Sequence, residues 1–71
     1  MAFDDAEVKG AIKKDLEVRY KKITDLSYGE MKHDSDLHEY SVIVKYKVRN
    51  EDRNTVYYMN EDGKIIRHFN L

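Results

Sequence analysis

Tyr40-Ser41-Val42-Ile43-Val44-Lys45-Tyr46-Lys47-Val48-Arg49 decides how the rest of the chain is read. Tyr40, Val42, Val44, Tyr46 and Val48 fall at every second position. Glu39, Ser41, Lys45, Lys47 and Arg49 alternate with them, and Ile43 is the apolar exception. A repeat of two is that of a β-strand, whose side chains point alternately to opposite faces. The spacing therefore predicts a strand over Leu37 to Arg49 with one face buried and the other largely solvated.

Upstream of it the period lengthens. Val8, Ala11, Ile12, Leu16, Tyr20 and Ile23 recur three and four residues apart, which places them on one stripe of an amphipathic helix. The helix is predicted from about Asp5 to Lys22. Asp4 or Asp5 serves as its N-cap, since a short carboxylate accepts from the free N–H groups of the first turn. Lys13, Lys14, Arg19, Lys21 and Lys22 gather toward its C-terminal half, where cations suit the macrodipole. After Thr24 the period shortens again: Leu26 and Tyr28 alternate, Gly29 interrupts, and Met31 resumes out of phase. One extra residue at a glycine is the signature of a β-bulge. His33-Asp34-Ser35-Asp36 reads as a turn.

Downstream, Asn50 to Asn54 reads as a polar loop and Thr55 to Asn60 as a strand. Tyr57 and Met59 are expected on its outer face, across from Val56 and Tyr58. Asn60-Glu61-Asp62-Gly63 is a hairpin turn, with Gly63 supplying the positive φ such turns need. A last strand follows from Lys64 to Asn70, with Ile65, Phe69 and Leu71 expected inward. A helix of this length spans roughly 27 Å at 1.5 Å per residue, whereas the long strand would span roughly 40 Å. A flat sheet would overhang the helix, so the sheet is expected to curl around it. The fold class is α+β: one N-terminal helix on a curled four-stranded antiparallel meander, in the order α-β-β-β-β, as a single domain over residues 1–71.

Composition narrows the function. A chain of 71 residues without cysteine cannot use disulfides or zinc thiolates, and a domain this small is marginal in stability, which favours a partner or self-association. Lys and Arg number 13 against 14 Asp and Glu, a balance that argues against a general nucleic-acid clamp. Met1-Ala2-Phe3-Asp4-Asp5 leads into a charged helix, with neither a signal-peptide core nor a membrane span. A cytoplasmic setting with no membrane partner is expected.

No group of residues carries a catalytic pattern. His33, Asp34, Asp36 and His38 form the densest set of metal-ligand types, but their spacing matches no standard site and a polar turn accounts for them. The pairs Asp4–Asp5, Glu51–Asp52 and Glu61–Asp62 fall at a helix start and in turns, not across a desolvated cleft. Ser27, Ser35 and Ser41 lie outside any nucleophile elbow, and the three glycines form no phosphate loop. The chain is read as a non-enzyme with no catalytic residue, cofactor or metal.

Two stretches carry a likeness. Tyr40 to Tyr46, followed by Val56-Tyr57-Tyr58-Met59-Asn60-Glu61-Asp62-Gly63-Lys64-Ile65, resembles the strand–turn–strand of PepSY-like domains. A helix followed by a curled antiparallel meander is similar to the cystatin-like architecture. The resemblance implies a non-catalytic module that binds or restrains another protein.

The open face or an edge of the sheet is then the expected protein-binding surface, through Ile43, Lys45, Tyr57, Met59 and Ile66. Tyr and Met are enriched at interfaces and basic residues can rim them. Three alternatives stand beside this reading. One is a homodimer that uses the same surface for stability. Another is a binder of single-stranded nucleic acid through Lys45, Lys47 and Arg49. The last is a phage or mobile-element inhibitor of a host protein.

Overall fold

The computed structural model describes residues 4–71, so the opening Met1-Ala2-Phe3 lies outside it. Helix α1 (Asp5–Tyr20) is followed by β1 (Thr24–Tyr28), β2 (Lys32–Asp34), β3 (Glu39–Val48), β4 (Glu51–Asn60) and β5 (Ile65–Asn70). All pairings are antiparallel. β1 and β2 lie along the same edge of β3, β1 beside its second half and β2 beside its first, so the sheet runs β1/β2–β3–β4–β5. The predicted α+β order holds, with the first strand divided into two.

Asp4 caps α1: its carboxylate accepts from the backbone N–H of Ala6 at 2.9 Å. The helix ends at Tyr20, two residues before the expected Lys22, because Lys21 turns to φ 62° while its N–H still bonds the Glu17 carbonyl. Val8, Ile12 and Leu16 are buried on one stripe. Tyr20 and Ile23 pack at its margin, whereas Ala11 is exposed. The stripe meets Val42, Val44, Tyr46 and Val48 of β3 and Tyr57 and Met59 of β4 in one core. Thr55 is buried with them, its hydroxyl 2.7 Å from that of Tyr46 and donating to Asn70 Oδ1.

Three irregularities break the sheet's regular register. Tyr28 pairs with Val44 and Lys32 with Ser41, so four steps on one strand oppose three on the other. That is the extra residue expected near Gly29. The Gly29 N–H donates to the Ile43 carbonyl at 2.8 Å, and a Cβ on Gly29 would lie 2.8 Å from the same oxygen. A second irregularity falls between Thr24 and Ser27, with Asp25 at φ 54°, and a third falls between Tyr58 and Met59 opposite β5. Each adds local bend and twist. The turn before β3 lies at 35–38, two residues later than expected, with His33 and Asp34 paired in β2.

The β3–β4 connection corrects the largest expectation. Asn50 to Asn54 is not a loop. Arg49 and Asn50 alone make the turn, at φ 53° and 64°, the left-handed pair that a two-residue I′ hairpin requires. β4 therefore starts at Glu51. Val48 pairs with Glu51, so every even-numbered β3 residue pairs with an odd-numbered β4 residue: Val44 with Thr55, Val42 with Tyr57, Tyr40 with Met59. Tyr57 and Met59, expected on the open face, stand on the helix side, fully buried. Val56 and Tyr58 take their places outside.

β5 carries a second correction. Ile65 pairs with Met59 and packs on the core as expected, but Ile66 is the extra residue at the bulge. The added position reverses the alternation. Arg67 and Phe69 pair with the outward Tyr58 and Val56, and His68 pairs with the inward Tyr57. Phe69 is 53% exposed and Leu71 70% exposed, so neither enters the core.

Candidate functional site

Helix α1 covers one face of the sheet. On the other face, Ile43, Val56 and Phe69 form a row across β3, β4 and β5, each directly paired with the next. Ile43 is 43% exposed. The adjacent row is Ser41, Tyr58 and Arg67. The Arg67 guanidinium lies 4.4 Å from the centre of the Tyr58 ring, and Tyr58 meets Phe69 edge to face at 6.0 Å. Arg67 also donates two hydrogen bonds to Glu39, at 3.0 and 2.7 Å. Those bonds hold the Glu39 carboxyl below the usual carboxylate range. Tyr58 is thus fixed between an ion-paired guanidinium and an aromatic ring, which presents its surface in one orientation.

A concavity of about 660 Å³ opens beside this row, lined among others by Ser27, Gly29, Ile43, Lys45, Val56 and Tyr58. The strand break at Gly29 shapes its edge. Ile43 and Lys45 stand on the open face, as the period-two reading placed them. Ile66 sits at the β5 bulge, 47% exposed. Tyr57 and Met59 do not belong to the site. Val56, Tyr58 and Phe69 do, and the signal that could have found them is a two-residue turn at Arg49-Asn50, which sets the parity of everything after it.

The edges of the sheet are less suited to docking than its face. β1 and β2 are separated by a break at Gly29–Met31, β1 carries the irregularity at Asp25, and β5 carries the bulge at Ile66. Irregular edges of this kind discourage strand addition.

Under the helix, Tyr57 anchors a polar staple. Its hydroxyl donates to Asp15 at 2.6 Å and accepts from Arg19 at 2.5 Å, and Arg19 also reaches Asp15 and His68 Nδ1. Burial, and then the bond to Asp15, push the Tyr57 hydroxyl far above the ordinary tyrosine range. A tyrosine held neutral beneath a helix is a fastening between α1 and β4.

His33 and His38 both approach one oxygen of Glu61, at 3.4 and 3.3 Å, joining the β2–β3 turn to the β4–β5 turn. Asp34 is occupied otherwise, accepting from the N–H groups of Asp36 and Leu37. Among the described residues no group of three or more His, Asp or Glu side chains is arranged to hold a metal ion.

Of the basic residues proposed for nucleic acid, Lys45 and Lys47 point out from β3, and Lys47 pairs with Asp25 at 3.7 Å. Arg49 lies in the turn, at the end of the molecule and not on its face. No helix among the described residues is long and apolar enough to cross a membrane. Compared with known proteins, the chain matches no family model, no curated protein and no solved structure.

Proposed function

We propose that this chain is a non-catalytic protein-binding module that engages its partner through the uncovered face of the sheet. The carrying observation is the outward-facing row Ile43–Val56–Phe69, exposed at Ile43 and Phe69 and half-buried at Val56, flanked by a half-buried Tyr58 ring that Arg67 and Glu39 hold in place. Apolar and aromatic groups gathered on one side of a small domain, rimmed by charged side chains, have the make-up of an interface core and its rim. The likeness to PepSY-like and cystatin-like modules points the same way. Acting as an inhibitor or adaptor follows from binding without chemistry.

The test replaces Ile43 and Phe69 together with lysine. Both lie opposite the helix, so the fold is expected to survive, as judged by circular dichroism. Capture of partners from a lysate and self-association are expected to disappear. If the variant folds and retains both unchanged, the face is not the binding surface.

A second copy of the chain is the alternative occupant. A symmetric dimer would bury the same Ile43 and Phe69 side chains on both copies. Light scattering over a dilution series decides between them: a monomer at every concentration leaves a different protein as the partner.

A further inference from the structure

The near-zero net charge hides a cationic end. α1 runs alongside β3, so its C-terminus arrives next to the β3–β4 turn, with Tyr20 against Tyr46 at 5.8 Å. Two adjoining concavities open there, of about 290 and 400 Å³, sharing Tyr20, Val48 and Arg49. Six cations line the pair, namely Arg19, Lys21, Lys22, Lys47, Arg49 and Arg53, against one carboxylate, Glu51. The chain as a whole has 13 basic and 14 acidic residues, so this is a strong local excess.

Half of that excess has a structural explanation. Arg19, Lys21 and Lys22 lie at the end of a helix, where cations favour the dipole. Lys47, Arg49 and Arg53 come from the hairpin, where no dipole calls for them. Moreover, Lys21 and Arg49 occupy backbone positions with φ of 62° and 53°, where a β-carbon is disfavoured and which glycine adopts more easily. Long cationic side chains thus stand where the backbone disfavours them, and both line the same depression.

The site is also partly organised in advance. Arg19 and Arg53 both lie over the Tyr20 ring, at 5.5 and 5.4 Å. Arg19 is held further by Asp15 and Tyr57. The ion pair of Arg53 with Glu51 is long, at 3.9 Å, and Lys21, Lys22 and Arg49 form no ion pair among the described residues. Asp25 and Asp52, the other nearby carboxylates, line neither concavity, although Asp25 pairs with Lys47 at 3.7 Å.

We propose that this end of the domain binds a ligand carrying two or more consecutive phosphates. Arginine forks pair bidentately with phosphate oxygens and lysines add point charge. Two joined depressions with cations around both suit a run of phosphates better than a single anion. The site lies apart from the Ile43–Val56–Phe69 row and stands independently of it.

The experiment uses fluorescence anisotropy with a labelled 12-nucleotide oligothymidylate, inorganic tripolyphosphate as competitor, and sulfate at matched ionic strength as the screening control. The wild-type chain is expected to bind the oligonucleotide at 50 mM salt. Tripolyphosphate should displace it and sulfate should not. Affinity should fall with salt at a log–log slope of about −0.7 per phosphate neutralised.

The double variant Lys21→Asn, Arg49→Asn should bind about tenfold more weakly, a loss of about 1.4 kcal/mol. Its melting temperature should stay close to that of wild type, since both side chains are exposed and form no ion pair among the described residues. Lys13→Asn, Lys14→Asn removes the same charge from the exposed helix surface and should leave binding unchanged. Tripolyphosphate as tight as the oligonucleotide identifies a free oligophosphate as the source; a tighter oligonucleotide identifies a nucleic-acid strand. No binding at 50 mM salt overturns the proposal. Equal weakening by both double variants overturns it too, because the attraction would then be diffuse.

Discussion

The two faces of this sheet are built from the same strands and differ by one residue in register. On the covered face, Val42, Val44, Tyr46, Tyr57 and Met59 close on Ile12 and Leu16, and all are essentially inaccessible. On the open face, their sequence neighbours Ile43, Val56 and Tyr58, together with Phe69 of β5, stay at least partly in water. Tyr57 and Tyr58 are the same residue type one position apart, yet one is a helix fastening and the other a surface platform. Composition cannot distinguish them; pairing register can.

The largest difference between the faces is expected in stability. Leu16→Ala leaves a cavity under the helix and should cost about 3 kcal/mol, whereas Ile43→Ala on the open face should cost under about 1 kcal/mol. Chemical denaturation of both variants checks this. Equal losses would mean that the open face is also covered in the folded chain.

Gly29→Ala probes the break that shapes the edge of the open face. The new Cβ would stand 2.8 Å from the Ile43 carbonyl oxygen, and backbone on both sides must move to admit it. A loss of about 1–3 kcal/mol is expected, as for other overpacked positions. A neutral result in thermal melting would show that the strands separate there freely.

Tyr57→Phe removes the staple while keeping the ring. It should cost about 1.5–2 kcal/mol near neutral pH, the low end of the range for a hydrogen bond to charged partners. It also changes the alkaline limb. Burial raises the Tyr28, Tyr46 and Tyr57 hydroxyls above the ordinary tyrosine value in the folded chain. Below about pH 10 these hydroxyls are neutral in both states and stability is unaffected. Above it the unfolded chain ionises first, so stability falls as pH rises toward the folded values. The wild-type chain should therefore lose stability steadily above pH 10, and Tyr57→Phe should lose it less steeply. Parallel slopes would remove Tyr57 from this account.

The smallest effect is expected at the rim. Phe69→Lys should change stability by no more than about 0.5 kcal/mol, since the ring is half in water and its neighbours can solvate. A large loss would indicate that Phe69 is covered by something the isolated chain supplies.

The helix stripe and the long strand were legible because each sustains its period: Val8, Ile12 and Leu16 at four, Val42, Val44 and Tyr46 at two. The Asn60–Gly63 turn was legible from chemistry. Gly63 takes φ 80°, and the Asn60 side chain accepts from the N–H groups of Asp62 and Lys64. The open face was only half legible. Ile43 and Lys45 lie on the strand with the clear period. Tyr57, Met59 and Phe69 lie beyond features that shift parity silently: a two-residue turn whose first position is arginine instead of the glycine or asparagine that usually marks it, and a bulge at Ile66 without glycine. The cationic end was invisible because Lys21 and Arg49 meet only when the helix lies along the hairpin.

The parity of β4 is the claim on which both faces depend, and the absence of cysteine from the chain makes it directly measurable. Single variants Ile43→Cys, Val44→Cys, Val56→Cys and Met59→Cys would be exposed to a thiol reagent under native conditions. The thiol at position 43 should react readily and that at 56, half-buried, more slowly, but both much faster than those at 44 and 59, which react only as fast as the domain opens. Rapid modification at 59 with protection at 56 would reverse the register and contradict the account.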